Sequence, residues 1–245
     1  MIPAMIRILP VALALAGALP AAPAAAADRV FPIADFDRVI VEGPYRVHLV
    51  VGRPTRAVAS GTRDGLDRIS LAVQGQTLRI RGGRGTWTGT PGADPGPVTI
   101  ALTTRMLRSA RTIGPARLEI EGAAGLNVEF AVEGGGTIRA TRVAAENLAL
   151  GLLGSGALDI AGTARSLRGQ FQGTGTVAAT GLAAQNATIS TNTLGNVALT
   201  VNGPVAVTAY GLGEVVVAGR PACTLSGPGA AQVRCGAASD QRQNR

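Results

Sequence analysis

From Phe36 onward, apolar and polar residues alternate in short runs. The runs cover residues 39–43, 45–52, 57–60, 69–73 and 77–81. A period of two puts alternate side chains on opposite faces of an extended chain, so each run predicts a β-strand. Glycines and prolines separate the runs, as turns require. Residues 64–68 break the alternation and read as a single helical turn. Residues 82–97 are rich in Gly, Pro and Thr and read as an exposed loop.

Beyond Pro97 the alternation becomes a repeat. Gly134-Gly135-Gly136-Thr137-Ile138 is followed by Gly154-Ser155-Gly156-Ala157-Leu158 and Gly173-Thr174-Gly175-Thr176-Val177. Thr193-Leu194-Gly195 is a degenerate copy, and Gly211-Leu212-Gly213 restores the pattern. The second glycines fall at Gly136, Gly156, Gly175, Gly195, Gly213 and Gly229, giving steps of 20, 19, 20, 18 and 16. The segment from Ile113 to Leu118 is the first copy. Glycines such as Gly162, Gly181 and Gly219 close the units, where a positive φ is tolerated without a Cβ clash. Asn147, Ser166 and Asn186 recur at matching positions. A unit this short buries its apolar face only by stacking on neighbours. The expected fold is all-β: a right-handed parallel β-helix, or β-solenoid, over residues 98–236 with coils of about 20 residues. Six or seven coils span roughly 30 Å. The strand-rich region 28–97 packs on it. The competing architecture is an antiparallel sandwich with glycine-rich hairpins, since Gly-x-Gly also suits hairpin turns.

Residues 1–27 change the picture of compartment. Arg7 precedes a short apolar core, Pro20 and Pro23 interrupt it, and Ala25-Ala26-Ala27 offers small residues for cleavage after Ala27. This is the pattern of a secretory signal peptide. The uninterrupted apolar run is too short for a membrane span, which needs about 20 residues, and no later stretch qualifies. Export makes Cys223 and Cys235 candidates for a disulfide. Two buried free thiols are the alternative. Residues 237–245 read as a disordered tail.

The order and spacing of these segments resemble a known family. Residues 36–52, the segment from Leu66 to Ile69, the segment from Thr77 to Ile80 and the Gly-Ser-Gly or Gly-Thr-Gly units together resemble the GIN-domain, auto-transporter adhesin head family. The resemblance covers about residues 36–219. It implies bacterial export, a right-handed β-helix-like fold and no established catalytic residues. Two features depart from the pattern: the lost first glycine at Thr193, and the Cys223/Cys235 pair.

Composition narrows the chemistry. The 245 residues are 3% aromatic and include one His, which leaves little material for a metal or catalytic cluster. The glycine units do not open helices after strands, so phosphate-loop readings fail. No aspartate follows the glycines, so a calcium ladder is not expected. Ser155 lacks the spacing of a nucleophile elbow. No cofactor is expected. His48 lies between Val47 and Leu49 and is expected to face outward, away from them. Glycosidic chemistry needs two flanking carboxylates. The candidates are Glu119 with Glu121, Glu129 with Glu133, Glu146, Asp159 and Glu214, and each pair reads more simply as a solvated face.

All 23 basic residues are arginine, and the formal net charge is +8. They cluster as Arg53, Arg56, Arg63 and Arg68; as Arg79, Arg81 and Arg84; and as Arg105, Arg108, Arg111 and Arg117. Arginine binds carboxylate and phosphate bidentately, so Arg79, Arg81 and Arg84 form a candidate anionic-ligand surface. Nucleic acid is disfavoured because stacking aromatics are scarce. The expected function is a non-catalytic exported cell-envelope protein, in the periplasm or on the bacterial surface. Its expected partners are an envelope glycan, lipopolysaccharide or another envelope protein. A carbohydrate-active enzyme on the same scaffold and a self-assembling structural protein are the alternatives.

Overall fold

The computed structural model describes residues 27–83 and 98–236. The expected signal peptide up to residue 26, Arg84 with the rest of the expected loop to Pro97, and the expected disordered tail 237–245 lie outside the described residues. The strands are β1 (Ala27–Phe31), β2 (Arg38–Glu42), β3 (Arg46–Val51), β4 (Arg56–Gly61), β5 (Ile69–Gln74), β6 (Thr77–Gly82), β7 (Thr99–Thr104) and β8 (Ser109–Ile113). They continue as β9 (Arg117–Gly134), β10 (Thr137–Gly154), β11 (Ala157–Gly173), β12 (Thr176–Thr193), β13 (Val197–Val201), β14 (Pro204–Ala209), β15 (Val215–Gly219), β16 (Ala222–Ser226) and β17 (Val233–Cys235). One helical turn, α1 (Arg63–Asp67), is capped by the Thr62 hydroxyl. It falls where the alternation breaks.

The long strands stack in parallel, one coil on the next. Thr137 lies over Arg117 and under Ala157, and Leu148 lies between Val128 and Leu167. Parallel register between successive coils is what a solenoid requires, and it rules out the antiparallel sandwich. Each coil has a first side (129–133, 149–153, 168–172, 188–192), a glycine corner, a second side (117–121, 137–141, 157–160, 176–179) and a third side (143–145, 162–164, 182–184). Alternation aims one residue in two inward. Leu148, Leu150, Leu152, Leu158 and Ile160 of a single coil are all buried. The interior is narrow and filled by Val, Leu, Ile and Ala. Phe130 and Phe171 are buried within the long coils, and Gly169 leaves room for the second. A Cβ on Gly169 would come within 2.6 Å of the Phe171 ring.

The strand-rich opening forms the first layers of the same stack. β2 lies in parallel between β6 and β8, and β3 lies between β7 and β9. The chain therefore lays down β2 and β3, loops back over them as β6 and β7, then continues beneath them as β8 and β9. β5 pairs antiparallel with β6, β4 pairs antiparallel with β7, and β1 extends β4. These antiparallel strands occupy edges that another molecule could otherwise pair with.

The two glycines of each corner have different reasons. Gly134, Gly154 and Gly173 have φ of +95°, +120° and +115°, where L side chains are strained. Gly136 is not left-handed. A Cβ there would lie 2.8 Å from the carbonyl oxygens of Ala116 and Gly114 in the coil below. Gly181 likewise closes its unit without a positive φ and is limited by the Ala161 Cβ at 3.0 Å. Thr193 stands where the first glycine is lost. Its buried hydroxyl donates to the Gly173 carbonyl at 3.1 Å and accepts from the Gly195 amide at 2.9 Å, so the corner is held by a side chain instead. The last step of the repeat needs correcting. Thr208 pairs with Ser226 and Val215 with Val233, so the final coil keeps its predecessor's offset of 18 residues. Gly229 accordingly sits against Gly211 rather than Gly213.

Changes of coil length are absorbed mainly at the corner between the second and third sides. The register shifts between Ala140 and Val143, between Asp159 and Gly162, and between Ala179 and Ala183. Arg142 occupies this corner with φ +55°, the single non-glycine with positive φ among the described residues. At the far end, Cys223 continues the inward row of Val205, and Cys235 that of Val217. Their sulfurs are bonded, with Cα atoms 6.6 Å apart. The bridge crosses the mouth of the interior.

Candidate functional site

The outer surface is organised by the same register that fills the core. Outward residues one coil apart are sheet neighbours, about 4.8 Å apart. On the second side, Arg139 lies over Glu119 and under Asp159, and its Nε donates to Asp159 Oδ2 at 2.7 Å. On the first side, Arg111 Nη1 donates to Glu133 Oε1 at 2.8 Å, and Arg111 Nη2 lies 3.8 Å from Glu129. On the third side, Arg165 Nε meets Glu146 Oε2 at 2.6 Å. Asn127, Asn147, Ser166 and Asn186 line up at successive coils, and the Asn147 amide donates to Asn127 Oδ1 at 3.1 Å.

Where the third side turns into the first, an open groove of about 880 Å³ runs along the axis. Its floor is made of small residues, among them Ala124, Gly125 and Ala149. The Asn127, Asn147 and Ser166 row borders it, and Arg38, Arg108 and Arg168 enter it as cations. Met106 and Leu126 are its exposed apolar flank. Behind the groove, the buried carboxylate of Asp37 lies 3.2 Å from Arg108 Nε and 3.9 Å from Arg38 Nε. Asp37 Oδ1 has no hydrogen-bond partner. The two guanidiniums balance this buried charge.

The sequence-derived candidates scatter. Arg79 donates to Glu42 at 2.8 Å and is neutralised there, Arg81 is exposed on the same strand, and Arg84 lies outside the described residues. Arg105 approaches Asp35 at 3.6 Å. The groove instead gathers Arg38 and Arg168, which belong to no cluster, with Arg108. Only the coil register could have found them. It places Arg38, Ser109, Glu129, Ala149 and Arg168 in one outward row. The carboxylates do not converge. Glu129 and Glu133 share Arg111 on the first side, while Asp159 is paired with Arg139 on the second. His48 faces outward between buried Val47 and Leu49, and its Nε2 lies 2.9 Å from Glu121 Oε1. Among the described residues, no three His, Cys, Asp or Glu side chains form a metal-binding group. Among them, too, no helix is long and apolar enough to cross a membrane.

Fold and surface together define a parallel β-solenoid whose outer faces carry side-chain ladders and an open groove. The family model described as "Putative auto-transporter adhesin, head GIN domain" matches residues 35–221, and the chain belongs to that family. Its fold is shared with the crystal structure of a "putative adhesin" from Bacteroides fragilis NCTC 9343, with a TM-score of 0.73 and 18% identity over 86% of this chain and 95% of that one. A "putative lipid binding protein" from Parabacteroides distasonis ATCC 8503 matches with a TM-score of 0.65 and 16% identity, over 86% of this chain and 96% of that one. A "putative adhesin" from the same strain matches at 0.60 and 13% identity, over 86% and 97%. No functionally curated protein matches the sequence.

Proposed function

We propose that this protein is an exported, non-catalytic module of the bacterial cell envelope that binds an envelope partner through its repeated outer faces. The observation that carries this reading is the register of the outward rows, seen in Asn127, Asn147, Ser166 and Asn186. A rigid row of like groups at strand spacing engages a repetitive partner many times over, and linked weak contacts multiply. Family membership supports the reading, since the family is described as an adhesin head. The candidate acid–base carboxylates are engaged by arginines on different sides, which favours binding over glycosidic chemistry. The test is co-sedimentation of the chain starting at Asp28 with purified envelope fractions, repeated across salt. Saturable binding is expected. Absence of binding to every fraction at low salt removes the proposal.

A second reading has its own observation. Leu194 and Leu212 occupy the glycine corner of adjacent coils and are 66% and 74% exposed, with Tyr210 beside them at 58%. Exposed apolar clusters of this kind mark contact surfaces, here for self-association. Analytical ultracentrifugation of wild type and Leu212→Ser tests it. A monodisperse wild-type monomer at high concentration rules it out.

A further inference from the structure

The axial groove combines two features. It holds cations that the protein does not fully neutralise, and it borders a polar row that both donates and accepts. Arg168 is exposed and has no acidic partner among the described residues. Arg38 and Arg108 approach Asp37 most closely through Nε, and neither makes an Nη hydrogen bond among the described residues, so those groups are left for a ligand. Glu129 also lines the groove, but Arg111 stands 3.8 Å from it. Four inter-strand steps separate Arg38 from Arg168 along the outward row, which is about 19 Å at strand spacing. Between these two ends, Asn127, Asn147 and Ser166 present amides and a hydroxyl at each coil. Such groups match sugar hydroxyls, which also donate and accept.

We propose that this groove binds an extended acidic oligosaccharide lying along the solenoid axis. Its carboxylates pair with Arg168 at one end and with Arg38 and Arg108 at the other. Its hydroxyls are read by the Asn127, Asn147 and Ser166 row. The proposal rests on the envelope-binding reading above and names the ligand class of that function. It moves the anionic site from Arg79 and Arg81, where Glu42 intervenes, to a groove where Arg108 is joined by Arg38 and Arg168 from outside the linear clusters. A peptide fits less well. The strand backbone beneath the groove is already paired coil to coil, so it offers no free edge for strand addition. An acyl chain fits less well too, since Met106 and Leu126 are the only large exposed apolar side chains lining it.

The experiment is calorimetric titration of the chain from Asp28 with a galacturonate hexamer and with its fully methyl-esterified counterpart. The hexamer is expected to bind and the ester to bind at least tenfold more weakly, because charge-assisted hydrogen bonds are lost. Arg168→Ala is expected to weaken hexamer binding about tenfold or more by the same argument, and Arg79→Ala to leave it unchanged. Arg108 is avoided as a first variant because it faces the buried Asp37 carboxylate. Asn147→Leu, an exposed substitution, is the second variant. It is expected to weaken binding while leaving the melting temperature in place. Equal binding of acid and ester, no hexamer binding, or indifference to both Arg168→Ala and Asn147→Leu overturns the groove assignment. If envelope fractions still bind in that case, the envelope-binding function stands with its site elsewhere. If they do not, both fall.

Discussion

His48 Nε2 lies 2.9 Å from Glu121 Oε1, although 73 residues separate them in the chain. The contact exists because β3 is inserted directly against β9, pairing His48 with Glu119 and bringing Glu121 within reach. An ionised carboxylate only accepts, so Nε2 carries the proton in this pair. Arg142 Nη2, from the left-handed corner residue, donates to the other oxygen at 3.0 Å. The hydrogen bond from His48, followed by the charges of His48 and Arg142, holds the Glu121 carboxyl below its usual range.

A group depressed in the folded state loses its stabilising effect as pH falls through its folded value, because the unfolded chain takes up the proton first. The contribution of Glu121 is therefore full above the ordinary carboxylate range and disappears on stronger acidification. Glu121→Gln is expected to flatten the stability curve in that acid window. Urea denaturation from neutral to acid pH checks this. Identical acid limbs for the two proteins would show that the contact contributes nothing.

Besides Asp37 Oδ1, two buried hydroxyls among the described residues lack partners. Thr112 Oγ1 and Thr191 Oγ1 are buried and make no hydrogen bond. Burying a hydroxyl without a partner costs about 1–3 kcal/mol. Thr191→Val keeps the shape and removes the hydroxyl, so it is expected to raise stability by about 1 kcal/mol. A fall in melting temperature would instead assign the hydroxyl a bond.

The corner glycines separate by mechanism. A Cβ on Gly156 would run into the Gly136 carbonyl and the Val132 side chain, whereas one on Gly135 meets only Ser155 Oγ at 3.7 Å. Gly156→Ala is expected to cost about 3 kcal/mol through overpacking. Gly135→Ala is expected to be nearly neutral. Paired thermal melts of the two variants distinguish coil-to-coil approach from a general need for flexible corners.

The Cys223–Cys235 bridge joins two sides of the terminal coil. Reduction, or the double substitution Cys223→Ser with Cys235→Ser, is expected to cost about 2–4 kcal/mol. In a stacked array the loss falls first on the coil concerned and its neighbour. Hydrogen exchange is expected to accelerate in β14 to β17 and to stay unchanged in β9 and β10. Uniform acceleration along the whole chain contradicts a local clamp.

Several features were readable in advance because they are local. The runs at 39–43 and 77–81 alternate, and the structure buries Val39, Val41, Leu78 and Ile80 while turning Ile40 and Arg79 outward. The row of Asn147, Ser166 and Asn186 followed from coil spacing alone. The terminal step was misread because Gly229 imitates a second glycine one residue pair too early. Only the pairing of Val215 with Val233 places it. β1 went unrecognised because its residues are mostly exposed and show no alternation.

The sequence by itself determined the side-chain alternation, the coil length and the glycine corners, since each depends on backbone geometry over a few residues. The tertiary structure decided that β2 and β3 lie between β6–β7 and β8–β9, that Glu42 neutralises Arg79, and that Arg38, Arg108 and Arg168 share a groove. These relations depend on which coil stacks on which. Stacking is a sum of weak contacts between segments far apart in the chain, and no single segment records it.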